Sequence, residues 1–309
     1  MTKNCSIFIL LLGILIASPC ANAQSYNFNN NSDAGWTHYD PLGEIGLGPQ
    51  MYYYPTGGVY HLIGTASPDI NNLGPARGGS LITTVSYTNF YVSADVISWD
   101  TNVHQIVAVG ARLSNLGLGT TTGYLLDLDV NTSNPTSGDM DIARVDNEAG
   151  TSIEVGPSGI TLTPGASYRF VLMGKGADLD GFVYELPNTN TPILHISAND
   201  ATYTSGYSGL VIAYNGTGSG PEAVAPDAIF DNYYAAAKAP PIPLMISSDS
   251  VNKTVTVSWA AYPGCILQST PSPTGTPVWT DETPTSTTST INSFEAPIGA
   301  GGKYFRLVN

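Results

Sequence analysis

The chain has 309 residues and carries 10 Lys and Arg against 24 Asp and Glu, which gives a formal net charge of -14. No stripe of Lys and Arg is present, so the sequence argues against a nucleic-acid-binding protein. The carboxylates are scattered among strand-like and turn-like segments, which indicates a folded protein rather than a disordered acidic one. This negative charge either keeps a soluble protein from associating or suits the binding of divalent cations.

The N-terminal segment has the pattern of an export signal. Lys3 is followed by the apolar run Ile7–Ala17, which is too short to span a bilayer. Ala21-Asn22-Ala23 has the small residues of a cleavage site. We therefore expect residues 1–23 to be a signal peptide, the mature chain to begin at Gln24, and the protein to be secreted or held at the cell surface. No second apolar run of membrane-spanning length follows, so the sequence predicts no membrane span.

Residues 24–237 show the pattern of an all-β domain. Short runs with two-residue alternation lie between clusters of Gly, Asn, Pro and Ser, and no convincing amphipathic helix occurs among them. Such a series predicts a two-sheet antiparallel jelly-roll sandwich. Asp178-Leu179-Asp180-Gly181 is predicted to form a hairpin turn. The predicted strands are Gly58–Ile63, Gly79–Val85, Tyr91–Trp99, Gln105–Leu113, Gly123–Val130, Met140–Val145, Ser152–Val155, Tyr168–Lys175, Phe182–Glu185, Ile193–Ser197, Gly209–Tyr214 and Ala228–Tyr234.

A change in composition separates this domain from a second β unit. Residues 238–243 are rich in Pro and predict a short, stiff linker. Residues 244–309 again alternate apolar and polar side chains and predict a small immunoglobulin-like β-sandwich. The predicted strands of this unit are Val251–Trp259, Cys265–Ser269, Val278–Thr280 and Tyr304–Val308.

Residues at the two ends of the first domain, together with segments between them, resemble a known superfamily. The opening group is Tyr26-Asn27-Phe28-Asn29 followed by Gly35-Trp36. Together with the segments that follow, over roughly residues 25–237, it resembles the concanavalin A-like lectin/glucanase superfamily, in its laminin-G-like branch of exported bacterial proteins. This resemblance implies a sugar-binding domain, a glycoside hydrolase or an adhesion module, because the fold alone does not choose among them. The later segments are, in order, Asp95-Val96-Ile97-Ser98-Trp99, Gly110-Ala111-Arg112, Gly123-Tyr124, Gly206-Tyr207-Ser208-Gly209-Leu210 and Phe230-Asp231-Asn232-Tyr233.

The C-terminal unit carries a second resemblance. Trp259, Leu267-Gln268-Ser269 and Phe305-Arg306-Leu307 occur in the order of a recurrent module. They resemble the small immunoglobulin- or fibronectin-like modules that end many exported proteins of Verrucomicrobia-type bacteria. The resemblance implies a spacer or attachment unit with a cell-surface partner.

Four aspartates are predicted to share one face of a hairpin within Gly123–Val145. Apolar residues alternate with Asp127 and Asp129 in its first strand and with Asp139 and Asp141 in its second, so the carboxylates lie opposite the core. The compact register sets Asp129 opposite Asp139 and Asp127 opposite Asp141, where like charges cost about 0.2–1 kcal/mol. A register shift, a neighbouring Arg112 or cation, or solvent screening would offset this repulsion, and we expect screening.

Polar faces of two further strands extend this set if all four strands are neighbours. One sheet face would then carry two aromatic rings, an arginine and five carboxylates. Sugar sites use this mixture, because a flat ring stacks on the apolar face of a sugar while charged groups hydrogen-bond its hydroxyls. The plainer explanation is the solvated face of an antiparallel sheet, and Trp99 would equally pack beneath a loop. The predicted ligand-binding residues are Tyr91, Asp95, Trp99, Arg112, Asp127, Asp129, Asp139 and Asp141.

The sequence offers little support for catalysis. A retaining glycosidase needs two carboxylates about 5–5.5 Å apart, and laminarinase-type enzymes supply them as Glu-x-Asp-x-x-Glu, a run that this sequence lacks. Asp127-Leu128-Asp129 is the nearest approach to it. The four histidines are dispersed, without the spacing of zinc ligands.

A structural calcium ion is a separate hypothesis. Jelly-roll sugar-binding modules that this domain resembles often hold calcium between their first and last strands. Asp231 near the end of the domain, with Asn29 or Asp33 near its start, would supply the oxygen ligands. The plainer explanation is that these side chains hydrogen-bond at strand ends and turns.

These observations predict an exported, non-catalytic carbohydrate-binding or adhesion protein with a polysaccharide or glycan partner. The alternatives are a glycan-processing enzyme with an atypical acidic site on the four aspartates, and a cell-surface structural protein without a small ligand. Replacement of Asp127 by Asn would abolish turnover in an enzyme but only weaken a binding protein.

Overall fold

A computed structural model describes residues 23–130, 137–156, 160–163, 165–189, 192–214, 225–240, 244–260, 266–287, 291–297 and 302–308. The predicted signal peptide, apart from Ala23, lies outside these residues, as do residues 241–243 of the predicted linker.

Strands make up nearly all of the regular structure. The described helical segments are α1 (Ile70–Leu73) and one π-type turn at Gly43–Leu47. Within the described ranges, no helix has both the length and the apolar character needed to cross a membrane. The strands are β1 (Gln24–Tyr26), β2 (Thr37–Tyr39), β3 (Met51–Thr56), β4 (Val59–Gly64), β5 (Arg77–Tyr87), β6 (Phe90–Trp99), β7 (Gln105–Ser114), β8 (Thr122–Val130), β9 (Ser137–Asp146), β10 (Ala149–Val155), β11 (Ile160–Thr161), β12 (Tyr168–Lys175), β13 (Asp178–Glu185), β14 (Pro192–Asn199), β15 (Gly206–Tyr214), β16 (Asp227–Ala236), β17 (Met245–Asp249), β18 (Thr254–Ala260), β19 (Ile266–Thr270), β20 (Thr280–Glu282), β21 (Ser286–Thr287), β22 (Ile291–Pro297) and β23 (Tyr304–Val308).

Two antiparallel sheets of eight strands form the first unit. Sheet 1 has the order β14-β13-β12-β6-β16-β4-β3, and β1 pairs with β16. Sheet 2 has the order β10-β9-β8-β7-β15-β5-β2, and β11 pairs with β9. Successive strands such as β5, β6 and β7 alternate between the sheets, as in a jelly roll. The predicted all-β, two-sheet fold class is therefore confirmed.

The apolar faces of the two sheets meet in one core. Val92 and Phe170 of sheet 1 are buried in the same cluster as Val109 and Leu126 of sheet 2. Alternation explains this arrangement, because every second residue of a strand points to the same face. The opposite face of each sheet is therefore the place to look for a functional surface.

Residues of the opening and closing motifs meet in an aromatic cluster. Because β1 pairs with β16, the ring centroids of Tyr26 and Tyr233 lie 6.4 Å apart. Trp36 lies edge-on to both rings, at 4.7 Å from Tyr233 and 5.1 Å from Tyr26. Aromatic pairs of this kind contribute about 0.5–1.5 kcal/mol beyond their burial. The sequence motifs thus mark the packing of the first and last strands.

A β-bulge in β7 reverses the predicted faces at its end. Arg112 has a φ of 50°, and the pairing of β7 with both β8 and β15 shifts there. An extra residue in one strand moves every later side chain to the opposite face. Leu113, which alternation assigns to the core, therefore packs in a cluster on the outer face of sheet 2.

The C-terminal unit consists of two smaller sheets. Their orders are β17-β18-β22-β21 and β20-β19-β23. Val257 and Trp259 of the first sheet and Leu267 of the second are buried in one cluster, against which Phe294 and Leu307 pack. The predicted small C-terminal β-sandwich is confirmed, while the predicted domain boundaries stay predictions.

The strand predictions succeed in the long strands and fail at edges and turns. β12 and β23 begin and end as predicted. The hairpin turn predicted at Asp178–Gly181 is wrong, because these residues lie in β13 and the turn is Gly176-Ala177. Gly176 has a φ of 61°, which suits the first position of a two-residue hairpin turn. The strands missed by the sequence analysis are β1, β2, β3, β11, β17, β21 and β22.

Candidate binding groove

The four predicted aspartates lie together on the outer face of sheet 2. β8 pairs with β9 in the compact register, which sets Asp127 opposite Asp141 and Asp129 opposite Asp139. The predicted face and register are therefore both correct, and the like charges do face each other. The alternating apolar residues point into the core, namely Leu126, Leu128, Met140 and Ile142.

Asp127 differs from the other three aspartates because it is buried. It is 5% exposed, and its carboxyl group has no hydrogen-bond partner among the described residues. Burial raises the pKa of Asp127 well above its usual range, and the neighbouring Asp141 and Asp129 raise it further. Solvent screening of Asp127 stays a prediction, while its burial penalises the charged form of the carboxyl group.

Asp141 is directed toward the neighbouring strand β10. Its Oδ2 accepts a hydrogen bond from the Ser152 hydroxyl, and its Oδ1 is buried without a partner in the part of the chain that the structure describes. Burial raises the pKa of Asp141, and the hydrogen bond from Ser152 offsets part of this increase. The two facing aspartates thus have different environments.

Asp127 lines a groove on the outer face of sheet 2, with a cavity volume of about 100 Å³. The groove is largely apolar, because β5, β7, β8 and β15 also carry apolar residues on their outer faces. These side chains form the groove floor, which we define by Leu81, Ile106, Leu125 and Val211.

A polar network closes one end of this groove. Glu148 and Asn147 form the turn between β9 and β10, with φ values of 68° and 54° that a type I′ turn requires. The Glu148 carboxylate accepts hydrogen bonds from Arg77 Nη2 at 2.5 Å and from the Tyr39 hydroxyl. The amide of Gly119 donates a further bond to it at 2.5 Å. Both carboxylate oxygens are engaged, so Glu148 serves as a fixed wall of the groove.

The structure separates Tyr91 and Asp95 from the four aspartates. They lie on β6, which belongs to sheet 1 and pairs with β12 and β16 rather than with β7. Asp95 is buried and forms a two-point ion pair with Arg169, at 2.6 and 2.9 Å. Asn232 donates to the same carboxylate at 2.9 Å. The hypothesis of one common face is therefore wrong, because the chain crosses between the sheets before and after β6.

Trp99 and Arg112 are displaced from that face by β-bulges. The pairing of β6 with β16 skips Ile97, so Trp99 turns toward the core and packs beside Tyr168 with ring centroids 6.0 Å apart. Arg112 is 1% exposed and donates hydrogen bonds to main-chain carbonyls of three separate turns. Neither side chain is available to a ligand in the groove.

Two of the three predicted calcium ligands, Asp33 and Asp231, hydrogen-bond to different residues. Asp33 accepts hydrogen bonds from His38 at 2.7 Å and from Tyr60 at 3.2 Å, whereas Asp231 accepts one from the amide of Asn232. Asn29 lies exposed in the loop after β1. Over the described ranges, no group of three or more His, Cys, Asp or Glu side chains is arranged to hold a metal ion. The calcium site stays a prediction.

A Ser-His-Asp cluster on sheet 1 does not have the geometry of a nucleophilic site. His195 Nε2 contacts Asp180 Oδ1 at 2.9 Å, and the Ser197 hydroxyl donates to the same oxygen at 2.6 Å. A catalytic histidine instead uses one ring nitrogen for the serine and the other for the carboxylate. The Ser197 proton is already held by Asp180, so this cluster explains local hydrogen bonding only.

The groove itself is not among the features predicted from the sequence. Glu148 gave no signal because it is an isolated glutamate in a turn. A signal was present in the strands, since Ile106-Val107-Ala108-Val109 and Leu125-Leu126 are apolar on both faces. Continuous apolar runs indicate strands that are covered on both sides, and the outer face of these strands forms the groove floor.

No family model and no curated protein matches this sequence. Among solved structures, a carbohydrate-binding module from Bacillus subtilis is similar over 65% of this chain and 95% of its own, with 17% identity and a TM-score of 0.43. A laminarinase from a Flavobacterium species is similar over 69% of this chain and 98% of its own, with 15% identity and a TM-score of 0.46. Basic winged bean lectin, in a structure with Tn-antigen, is similar over 69% of this chain and 97% of its own, with 12% identity and a TM-score of 0.45. The sandwich itself is established by the strand pairing, while the laminin-G-like branch and the resemblance of the tail stay predictions.

Proposed function

We propose that this protein is an exported carbohydrate-binding or adhesion protein and that the groove on sheet 2 holds the sugar. The observation that carries the proposal is an apolar groove floor with a carboxyl group, Asp127, set within it. A sugar ring has an apolar C–H face and a rim of hydroxyl groups, so it matches such a surface. Ligand sites commonly combine apolar walls with a few placed polar groups.

The floor lies on paired strands of sheet 2 rather than on loops. Rigid positions of this kind hold a ligand without the entropy cost of ordering a loop. At the closed end, Tyr39 and Arg77 are already fixed by Glu148, so that end also needs no rearrangement. The groove is therefore pre-formed for binding.

A glycan-processing enzyme is the second candidate, because Asp127 faces Asp141 across the strand pair. Two carboxyl groups would have to reach the substrate. Asp127 and Glu148 are the carboxylic residues that line the groove in the described structure, and both oxygens of Glu148 are engaged. Asp141 does not line the groove. These contacts favour binding over hydrolysis.

We also propose that the C-terminal unit acts as a spacer or as an attachment to a cell-surface partner. A purely structural role without a small ligand remains the third candidate. It differs from the others in predicting that blocking the groove has no effect on any glycan interaction.

A glycan and polysaccharide array with the chain from Gln24 onward tests the proposal. Ala143 lines the groove, so Ala143→Phe should fill it and abolish binding, whereas Ala201→Phe, at an exposed position outside the groove, should leave binding intact. Each array is run in calcium and in EDTA, where loss of binding in EDTA would support the predicted calcium ion. Failure of the folded protein to bind any glycan would overturn the proposal.

A further inference from the structure

We propose that the groove selects glycans with protonated amino sugars and seats the ammonium group against Asp127. This inference rests on the proposed carbohydrate-binding function and names the class of sugar. It starts from Asp127, which is 5% exposed, lines the groove and receives no hydrogen bond from a described residue.

Asp127 contrasts with two other acidic side chains of the first unit, Glu148 and Asp95. The side chain of Glu148 is 6% exposed and is paired with Arg77, and that of Asp95 on sheet 1 is 4% exposed and is paired with Arg169. Asp127 is as buried as these and lines the groove, yet no described residue donates a hydrogen bond to it. A buried polar group without a partner costs free energy. A ligand that supplies the partner recovers this cost.

The charge around the groove also favours a cationic ligand. Among the described residues, the titratable groups beside Asp127 on its own strand and on β9 are acidic, and the closed end adds Glu148, Arg77 and Tyr39. β7 and β15 contribute apolar side chains to the floor, and the cation that lines the groove, Arg77, is already paired with Glu148. The field at Asp127 is thus negative and favours a cation. The groups concerned are Asp129 of β8, Asp139 and Asp141 of β9, and, at the closed end, Glu148, Arg77 and Tyr39.

An ammonium group suits Asp127 better than a metal ion does. A calcium ion takes six to eight oxygen ligands, and Asp127 brings at most two. An ammonium group needs only one carboxylate and a few acceptors, so it fits a single buried acid. The apolar floor then covers the C–H face of the ring that carries the amine. A rigid ring loses less conformational entropy in this groove than a lysine side chain does.

Binding of this kind would be coupled to proton release. Burial favours the protonated form of Asp127 in the free protein, whereas an ammonium ligand favours the carboxylate. The proton that leaves Asp127 passes to the buffer, and no covalent bond changes. Affinity should therefore rise as the pH increases through the pKa of Asp127 and fall once the sugar amine loses its own proton.

Isothermal titration calorimetry with the chain from Gln24 onward tests the inference. The probes are a glucosamine hexamer, its N-acetylated counterpart, a neutral glucose hexamer and a lysine hexamer. We expect the glucosamine hexamer to bind at least about tenfold more tightly than the other three, which corresponds to about 1.4 kcal/mol. In two buffers with different ionisation heats, the same titration should show proton release.

Asp127→Asn is the decisive variant. It should reduce the preference for the glucosamine hexamer to less than about twofold, and its Tm shows whether the variant is folded. Glu154→Gln is the matched control, since it removes one carboxylate from sheet 2 outside the groove and should leave the preference intact. If the variant is not folded, the acetylation contrast and the proton release on the unsubstituted chain still decide.

The outcomes separate the two proposals. Equal binding of the glucosamine and neutral hexamers would overturn the amino-sugar inference and leave the proposed function in place. Binding of the lysine hexamer as tightly as the glucosamine hexamer would overturn the restriction to sugars. Absence of binding to every glycan, on the calorimeter and on the array, would overturn both proposals.

Discussion

Replacement of Arg112 by Met should destabilise the first unit by about 3 kcal/mol. The guanidinium donates to the carbonyl of Thr88 at 2.8 and 3.0 Å, to that of Gly176 at 2.7 Å and to that of Tyr203 at 2.9 Å. Methionine keeps the length of the side chain but donates no hydrogen bond. Three partly buried carbonyl groups would each lose a charged donor, at about 1 kcal/mol apiece when water partly replaces it.

The three carbonyls belong to the turn before β6, the turn between β12 and β13, and the loop before β15. Arg112 therefore connects three separate turns, and its cation also lies 5.1 Å from the ring centre of Phe90. For a unit of this size, 3 kcal/mol lowers the Tm by about 6–12 °C. The exposed Lys175, adjacent to one of these turns, provides the matched control, since Lys175→Met should change the Tm by less than about 2 °C.

Thermal and urea denaturation, followed by the fluorescence of the buried tryptophans, measures this effect. Arg112→Lys should lose most of the same stability, because an ammonium group cannot reach three carbonyls with the planar fork of a guanidinium. A Tm of Arg112→Met within about 2 °C of the unsubstituted protein would refute the reasoning and return Arg112 to the set of residues available for binding.

Three further predictions follow from single contacts. Asp127→Asn should flatten the dependence of stability on pH, because the pKa of Asp127 is raised in the folded protein. The contribution of Asp127 to stability is fully present below its unfolded pKa of about 3.9 and is lost as the pH rises through its folded pKa. Urea unfolding of both proteins at pH 4 and pH 7 measures this difference. Gly206→Ala should destabilise the protein by about 1–3 kcal/mol, because the new Cβ would lie 2.3 Å from the backbone of the β7 bulge. At Gly150 a Cβ would have no atom within 4 Å, so Gly150→Ala should leave the free energy of unfolding unchanged in the same assay. Tyr39→Phe should cost about 1 kcal/mol by removing the hydroxyl bonded to Glu148, and unchanged unfolding would contradict the proposed closed end.

Alternation of side chains made the hairpin of β8 and β9 predictable. Asp127 and Asp129 follow a strict period of two, as do Asp139 and Asp141, so their face and register could be deduced without a structure. What the sequence does not show is that Asp127 is buried on the outer face of the sheet. Its burial depends on where β8 lies in sheet 2, between β7 and β9, and on the apolar side chains that line the groove beside it.

The same rule failed where the backbone departs from regular pairing. A single extra residue, at Ile97 in β6 and at Arg112 in β7, reversed the faces of Trp99 and Leu113. Nothing in either strand marks these bulges, because Arg112 is not the glycine that a positive φ would suggest. For β7 a glycine signal lies on the partner strand β15 instead, where Gly206 leaves room for the bulge.

Membership of a sheet was the other quantity that the sequence left open. β6 and β7 are consecutive and similar in composition, yet they belong to different sheets. The predicted eight-residue site assumed that they were neighbours, so Tyr91 and Asp95 were assigned to the wrong face. Strand order is fixed by pairings across the whole chain, which no local pattern reports.

Methyl NMR during a glycan titration tests the central claim, that the groove on sheet 2 binds a sugar, most directly. The chain from Gln24 onward, labelled at Ile, Leu and Val methyl groups, is titrated with the glycan that binds best on the array. The account predicts shifts at Leu81, Ile106, Leu125 and Val211 of the groove floor, and none at the buried Leu267 of the C-terminal unit. Binding that leaves the floor methyl groups unchanged would contradict it.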